Sequence, residues 1–245
     1  MRIGIIAAMP GELKPLVKGW KRMPVSQRTA WKWLSGSGDN VYVAVCAGMG
    51  AAAATRAFAE AEADGPLSMV LSIGWAGALR EGTCAGEVMI PDLVVDAQTG
   101  ERMALTPECR SCVLVTTAQV AGEREKRRLA ATYGGVLVDM EAATVVRLAQ
   151  MRGISVCCIK VITDEVGVPL PDLNVYIDKM GQMQTMRFLG YIAVRPKYWK
   201  PLLALGTSSA RGAKILASMI YNLILNPSLN IAEVNRTGTI QDWQV

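Results

Sequence analysis

Three features of the 245-residue sequence predict an α/β layer fold. Short apolar runs rich in Val, Ile and Cys alternate with stretches of helical length, most runs end at glycines, and 51% hydrophobic side chains can bury one substantial core. Charged residues make up only 19%, and the 23 glycines follow no fixed period, which excludes a disordered or collagen-like chain.

The elements follow in order. Residues 3–8 form a buried first strand, stopped at Pro10-Gly11, with Glu12 in the solvent-open turn or first helical turn that follows. Residues 41–46 form a second strand, which Gly48-Met49-Gly50 turns into an alanine-rich helix over 51–63, ended by Asp64-Gly65-Pro66. Residues 68–73 give a strand running into Gly74 and Gly77, and 86–95 an extended stretch broken at Pro91-Asp92. A strand at 113–117, a charged helix at 123–133 and a short strand at 136–138 come next. The helix expected over 140–151 holds Glu141 in its first turn, and the strand expected over 154–162 carries Thr163-Asp164 at its carboxyl end. In such folds ligands gather at the carboxyl ends of strands, where Glu12, Gly48 to Gly50, Gly74 to Gly77 and Asp164 all fall.

Composition limits the chemistry. With no histidine, Ser-His, Cys-His and zinc-His arrangements are excluded, and acid-base work falls to carboxylates, Lys, Tyr or Cys. Six cysteines, two of them adjacent in an apolar run (Cys157, Cys158), read as reduced core residues. Cys109-Arg110-Ser111-Cys112 is a lone C-x-x-C with nothing to complete a metal set, so no metal and no cofactor are expected. Gly48-x-Gly50-x-x-Ala53 matches a dinucleotide-binding turn, yet the acidic residue at the end of the next strand is missing. The net charge of +5 is uneven: seven Lys/Arg and no acidic residue lie between Lys179 and Ala232, while the remaining 19 basic and 21 acidic residues nearly cancel. A near-neutral body is not the footprint of a nucleic-acid binder. No apolar run reaches membrane-spanning length and the opening run is too short for a signal peptide, so a cytoplasmic location is expected.

Met1 to Glu12, Gly48-Met49-Gly50, Gly74-Trp75-Ala76-Gly77, Val138-Asp139-Met140-Glu141-Ala142 and Ile162-Thr163-Asp164 occur in the order and spacing of the nucleoside phosphorylase superfamily. The sequence most resembles its methylthioadenosine/S-adenosylhomocysteine nucleosidases, over about residues 1–166. The resemblance implies a three-layer α/β sandwich on a central mixed sheet, a homodimer, a small nucleoside substrate and hydrolysis of its N-glycosidic bond. In it Glu12 activates water, Glu141 and the backbone near Met140 hold the ribose hydroxyls, and Asp164 protonates the leaving purine. Ala8, Trp75, Ala76, Gly77, Val120 and Thr163 fall at substrate-contacting positions.

The same roles follow from chemistry. Cleaving a ribose-to-base bond passes through an oxocarbenium-like state that needs an acid, a base and negative charge near the sugar. Each carboxylate taken singly reads equally as a helix cap, Asp139-Met140-Glu141 above all; the joint spacing carries the argument. Ser72 stands where hexameric phosphorylases place a phosphate-binding arginine, and Glu12 would repel phosphate, which favours water; a phosphorylase or a catalytically silent nucleoside-binding protein are the alternatives. Two departures stand out: Trp75 replaces a serine that helps orient the catalytic Asp, and Lys160 replaces an arginine.

Residues 167–245 form a helical extension. Met180, Met183 and Met186 with Phe188 and Leu189 read first as a core helix face, and Ile215, Leu216, Met219, Ile220, Leu223 and Ile224 share one helical stripe. This ending resembles the hopanoid-associated branch of the superfamily, whose substrate is an adenosylated lipid. Residues 187–225 then offer a contact to the inner face of an anionic membrane, the alternative being a core or oligomer element.

Overall fold

The computed structural model describes residues 1–105 and 112–225; Cys109 to Ser111 and the end of the basic tail beyond residue 225 lie outside them. In chain order the elements are β1 (Arg2–Ala7), α1 (Pro10–Leu13), β2 (Lys21–Met23), β3 (Trp31–Ser37), β4 (Asn40–Cys46), α2 (Ala51–Glu62), β5 (Met69–Ala78), β6 (Val88–Met89), β7 (Leu93–Asp96) and β8 (Arg102–Ala104). They continue with β9 (Val113–Thr116), α3 (Glu123–Tyr133), β10 (Leu137–Asp139), α4 (Ala142–Met151), β11 (Ser155–Asp164), α5 (Thr185–Ala193) and α6 (Trp199–Leu225).

The strands form one mixed sheet ordered β2-β3-β4-β1-β5-β10-β9-β7-β8, with β11 paired to β5 and β6. β4, β1, β5 and β11 run parallel as the hub, while β10 joins β5 antiparallel. Alternation along the hub assigns the faces. Ile5, Ile73, Ile159 and Val161 pack against Leu13 and Leu16 and against Leu216 and Ile220 of α6. Ile6, Val43, Val45 and Val70 face Ala57 and Phe58 of α2 and Val145 of α4. Helices thus cover both faces of the sheet, giving the three-layer arrangement expected.

Four expectations need correction. β2, β3 and β8 do not stand out in the sequence, because β2 and β8 at the sheet's edges and β3 beside β2 keep one side partly solvated and carry polar or charged residues among their apolar ones. β5 does not stop at Ile73: β11 pairs with it through Trp75 and Ala76, and β10 through Gly77 and Ala78, so partners on both sides carry it through the glycines. Glu141 is not in the first turn of α4 but at its N-cap position, one residue earlier. The methionine segment is not a core face either. In α5 only Ile192 is buried and Met186 is 82% exposed, because no element among the described residues covers that side.

Among the described residues no helix is long and apolar enough to cross a membrane, and no group of three or more His, Cys, Asp and Glu could hold a metal ion.

Candidate active site

A cavity of about 260 Å³ opens at the carboxyl ends of β1, β5 and β11. Ala8, Glu12, Trp75, Ala76 and Gly77 line it from the first half of the chain, and Val120, Met140, Glu141, Thr163 and Asp164 from the second. All ten residues singled out in the sequence therefore meet in one place.

Glu12 sits at the third position of the short α1, which Pro10 starts and which follows directly on β1. Its Oε2 accepts hydrogen bonds from the N–H groups of Ala8 (2.8 Å) and Met9 (2.7 Å), and its Oε1 from that of Trp75 (2.8 Å). It is not open to solvent as expected: it is 3% exposed, because β5 continues over it. Burial pushes its pKa above the ordinary carboxylate value, with the three N–H groups and the Lys160 charge opposing. Gly74 makes this approach possible. Its φ is +145°, and a Cβ there would stand 2.6 Å from Glu12 Oε1.

Glu141 turns from the start of α4 into the cavity, accepting from Gly50 N–H at 2.7 Å. Burial first, and then the neighbouring Asp139 carboxylate, push its pKa up to about 8 against the pull of Lys160 and the Gly50 N–H. The capping role belongs to Asp139, whose Oδ2 accepts from Ala142 N–H at 3.0 Å while Thr116 Oγ1 accepts from Ala143 N–H. Lys160 is buried in β11 with its Nζ 2.8 Å from Asp139 Oδ2, and that charge keeps its own pKa high in spite of desolvation.

Asp164 stands at the end of β11 beside a break in register. It is not isolated in apolar surroundings, as its place after an apolar strand suggested. Its Oδ1 accepts from Thr163 Oγ1 at 3.1 Å, and its Oδ2 is ion-paired with Lys126 of α3. Trp75 does not take over the serine's role: its buried Nε1 makes no hydrogen bond and its indole packs on the α1/α6 side of the sheet. Lys126 escaped the sequence reading because the charged run Glu123 to Arg128 looks uniformly solvated; its one signal is its place three residues before buried Leu129.

The far wall was also missed. Leu170, Leu173, Ile177 and Met183 line the cavity together with Leu205 and Ser209 of α6. The same stretch of chain exposes Met186, Leu189, Val194, Trp199 and Leu203, and places Arg195 over the Tyr191 ring and Lys197 over that of Tyr198.

No match was found among curated proteins. Three solved structures share the fold: a 5′-methylthioadenosine nucleosidase from Arabidopsis thaliana (18% identity, 91% of this chain and 95% of that one, TM-score 0.66); a 5′-methylthioadenosine/S-adenosyl homocysteine nucleosidase from Campylobacter jejuni (14%, 91% and 98%, 0.67); and a futalosine hydrolase from Helicobacter pylori (18%, 91% and 98%, 0.62). The family model described as the phosphorylase superfamily matches residues 2–117 and 104–185, three quarters of the sequence and all four of the pocket carboxylates, so the chain belongs to the phosphorylase superfamily.

Proposed function

We infer that this protein is a purine-nucleoside N-ribosyl hydrolase acting without phosphate. The observation that carries the reading is the convergence of Glu12, Glu141 and Asp164 on one cavity whose lining includes no arginine among the described residues. A phosphate dianion beside Glu12 would meet like charge, whereas a water meets a proton acceptor. Glu12 takes the proton of the attacking water, Glu141 accepts hydrogen bonds from the ribose hydroxyls beside the Met140 backbone, and Asp164 protonates the departing base. The related folds include nucleosidases and a nucleoside hydrolase, which supports the reading.

The substrate's 5′ substituent is apolar. We read the apolar wall formed by Leu170, Leu173, Ile177, Met183 and Leu205 as the route from the sugar to the exposed apolar and cationic residues of α5 and the first half of α6. An adenosylated lipid of the hopanoid type fits this route: the nucleoside occupies the cavity and the lipid lies along that surface, itself docked on an anionic membrane from the cytoplasmic side. The protein works as a homodimer, with the extension after residue 166 supplying the outer wall of each site.

Adenine release should be assayed with methylthioadenosine, S-adenosylhomocysteine, an adenosine carrying a long 5′-alkyl chain, and inosine with phosphate. The expected result is adenine and a free ribosyl product without phosphate, fastest for the alkylated substrate. Glu12→Gln and Asp164→Asn should each lose about 10²- to 10⁴-fold in kcat while the fold persists. Ribose 1-phosphate as product, or ligand binding with no release of base, would overturn the reading.

A further inference from the structure

Lys126 is 4% exposed, yet it lines the cavity. Its ammonium has three acceptors: Asp164 Oδ2, the Glu165 carbonyl at 2.8 Å and the Asp164 carbonyl at 3.4 Å. The fold makes room for it. A Cβ on Gly77 would lie 3.1 Å from Lys126 Cε and 3.2 Å from both Nζ and Asp164 Oδ2, so no side chain can stand there without displacing the pair. Burying an ammonium is costly, and a surface lysine on a helix with five other charged residues has no need of it for solubility.

We propose that Lys126 is a positioning residue for leaving-group departure, holding Asp164 in place and stabilising the charge that appears on it in the transition state. The inference rests on the hydrolase reading above. As the bond from ribose to base breaks, its electron pair goes to the base; the proton carried by Asp164 moves to a ring nitrogen of the base, and water adds to the ribose carbon, giving its proton to Glu12. Asp164, ion-paired in the free protein, takes up that proton from solvent as the substrate enters, and its transfer to the base restores the carboxylate against a fixed ammonium, where such stabilisation is strongest. The carbonyl contacts to residues 164 and 165 fix the chain at the end of β11, so the carboxylate does not reorganise during the step.

The test compares two leaving groups. Wild type, Lys126→Met, Lys126→Gln, Lys126→Arg and Asp164→Asn are assayed with a 5′-alkylthioadenosine, whose base needs a proton to leave, and with 4-nitrophenyl β-D-riboside, whose phenolate leaves without one. Both neutral Lys126 variants should lose about 10²-fold in kcat on the nucleoside with KM little changed and keep nitrophenol release near wild type. Lys126→Arg should recover part of the loss, and Lys126→Met combined with Asp164→Asn should be no worse than Asp164→Asn alone. Wild-type turnover of the nucleoside by the neutral variants, or equal loss on both substrates, overturns the proposal. A wild-type protein that cleaves neither substrate instead removes the hydrolase reading, and this inference with it.

Discussion

Three backbone N–H groups hold the Glu12 carboxylate and two hold that of Glu141, so each side chain that faces the cavity is also tied to the main chain. The bland expectation of a cap and the catalytic one are therefore both met at Glu12, while at the start of α4 they divide between Asp139 and Glu141. The raised pKa of Glu141 has a consequence for stability. Unfolded, the group loses its proton near the ordinary carboxylate value; folded, it keeps it up to about 8. The folded state thus binds more protons across that interval, so this contribution is complete at low pH and is lost as pH rises through about 8. Thermal melts between about pH 5 and pH 8 should show Tm falling with pH, and Glu141→Gln, neutral throughout, should flatten the slope. An unchanged slope in the variant would place the titration on another group.

At the scale of elements, α6 is one helix with two environments. Every buried residue in it, from Gly212 to Ile224, belongs to the second half, where the apolar stripe seen in the sequence packs on the sheet hub; the first half buries none. The reading of 187–225 as one membrane-facing segment is corrected accordingly, since its last two turns and more are core. Ile220→Ala should cost about 2–5 kcal/mol in urea unfolding, because Ile220 is fully buried among β-strand side chains. Leu203→Ala, at a position 70% exposed, should change stability by no more than about 0.5 kcal/mol. A large loss at Leu203 would mean that the first half of α6 is covered by a second copy of the chain in solution.

For the whole molecule, the exposed apolar residues of α5 and early α6 and the cations Arg187, Arg195, Lys197 and Lys200 belong to the same stretch of chain as Met183, Leu205 and Ser209, which line the cavity. Each cation reaching an anionic surface contributes about 1 kcal/mol, so replacing Arg195, Lys197 and Lys200 by alanine should weaken binding to phosphatidylserine-containing vesicles by about 10²-fold, with high salt acting in the same direction. Cosedimentation against pure phosphatidylcholine vesicles supplies the comparison, and binding indifferent to salt and to the triple change would rule out docking by charge. The apolar periodicity of residues 3–8, 41–46 and 154–162 was enough to set the strands of the hub, since a strand buried on both faces must be apolar at nearly every position. The motif spacing likewise carries the ten cavity residues from Ala8 to Asp164. Sequence alone could not show that β5 runs on over Glu12 and desolvates it, that Lys126 of a charged helix pairs with Asp164, or that Met186 stays exposed while Met183 lines the cavity. Those outcomes depend on which surface of one element meets which surface of another, and burial and charge pairing are properties of that meeting rather than of any local run of residues.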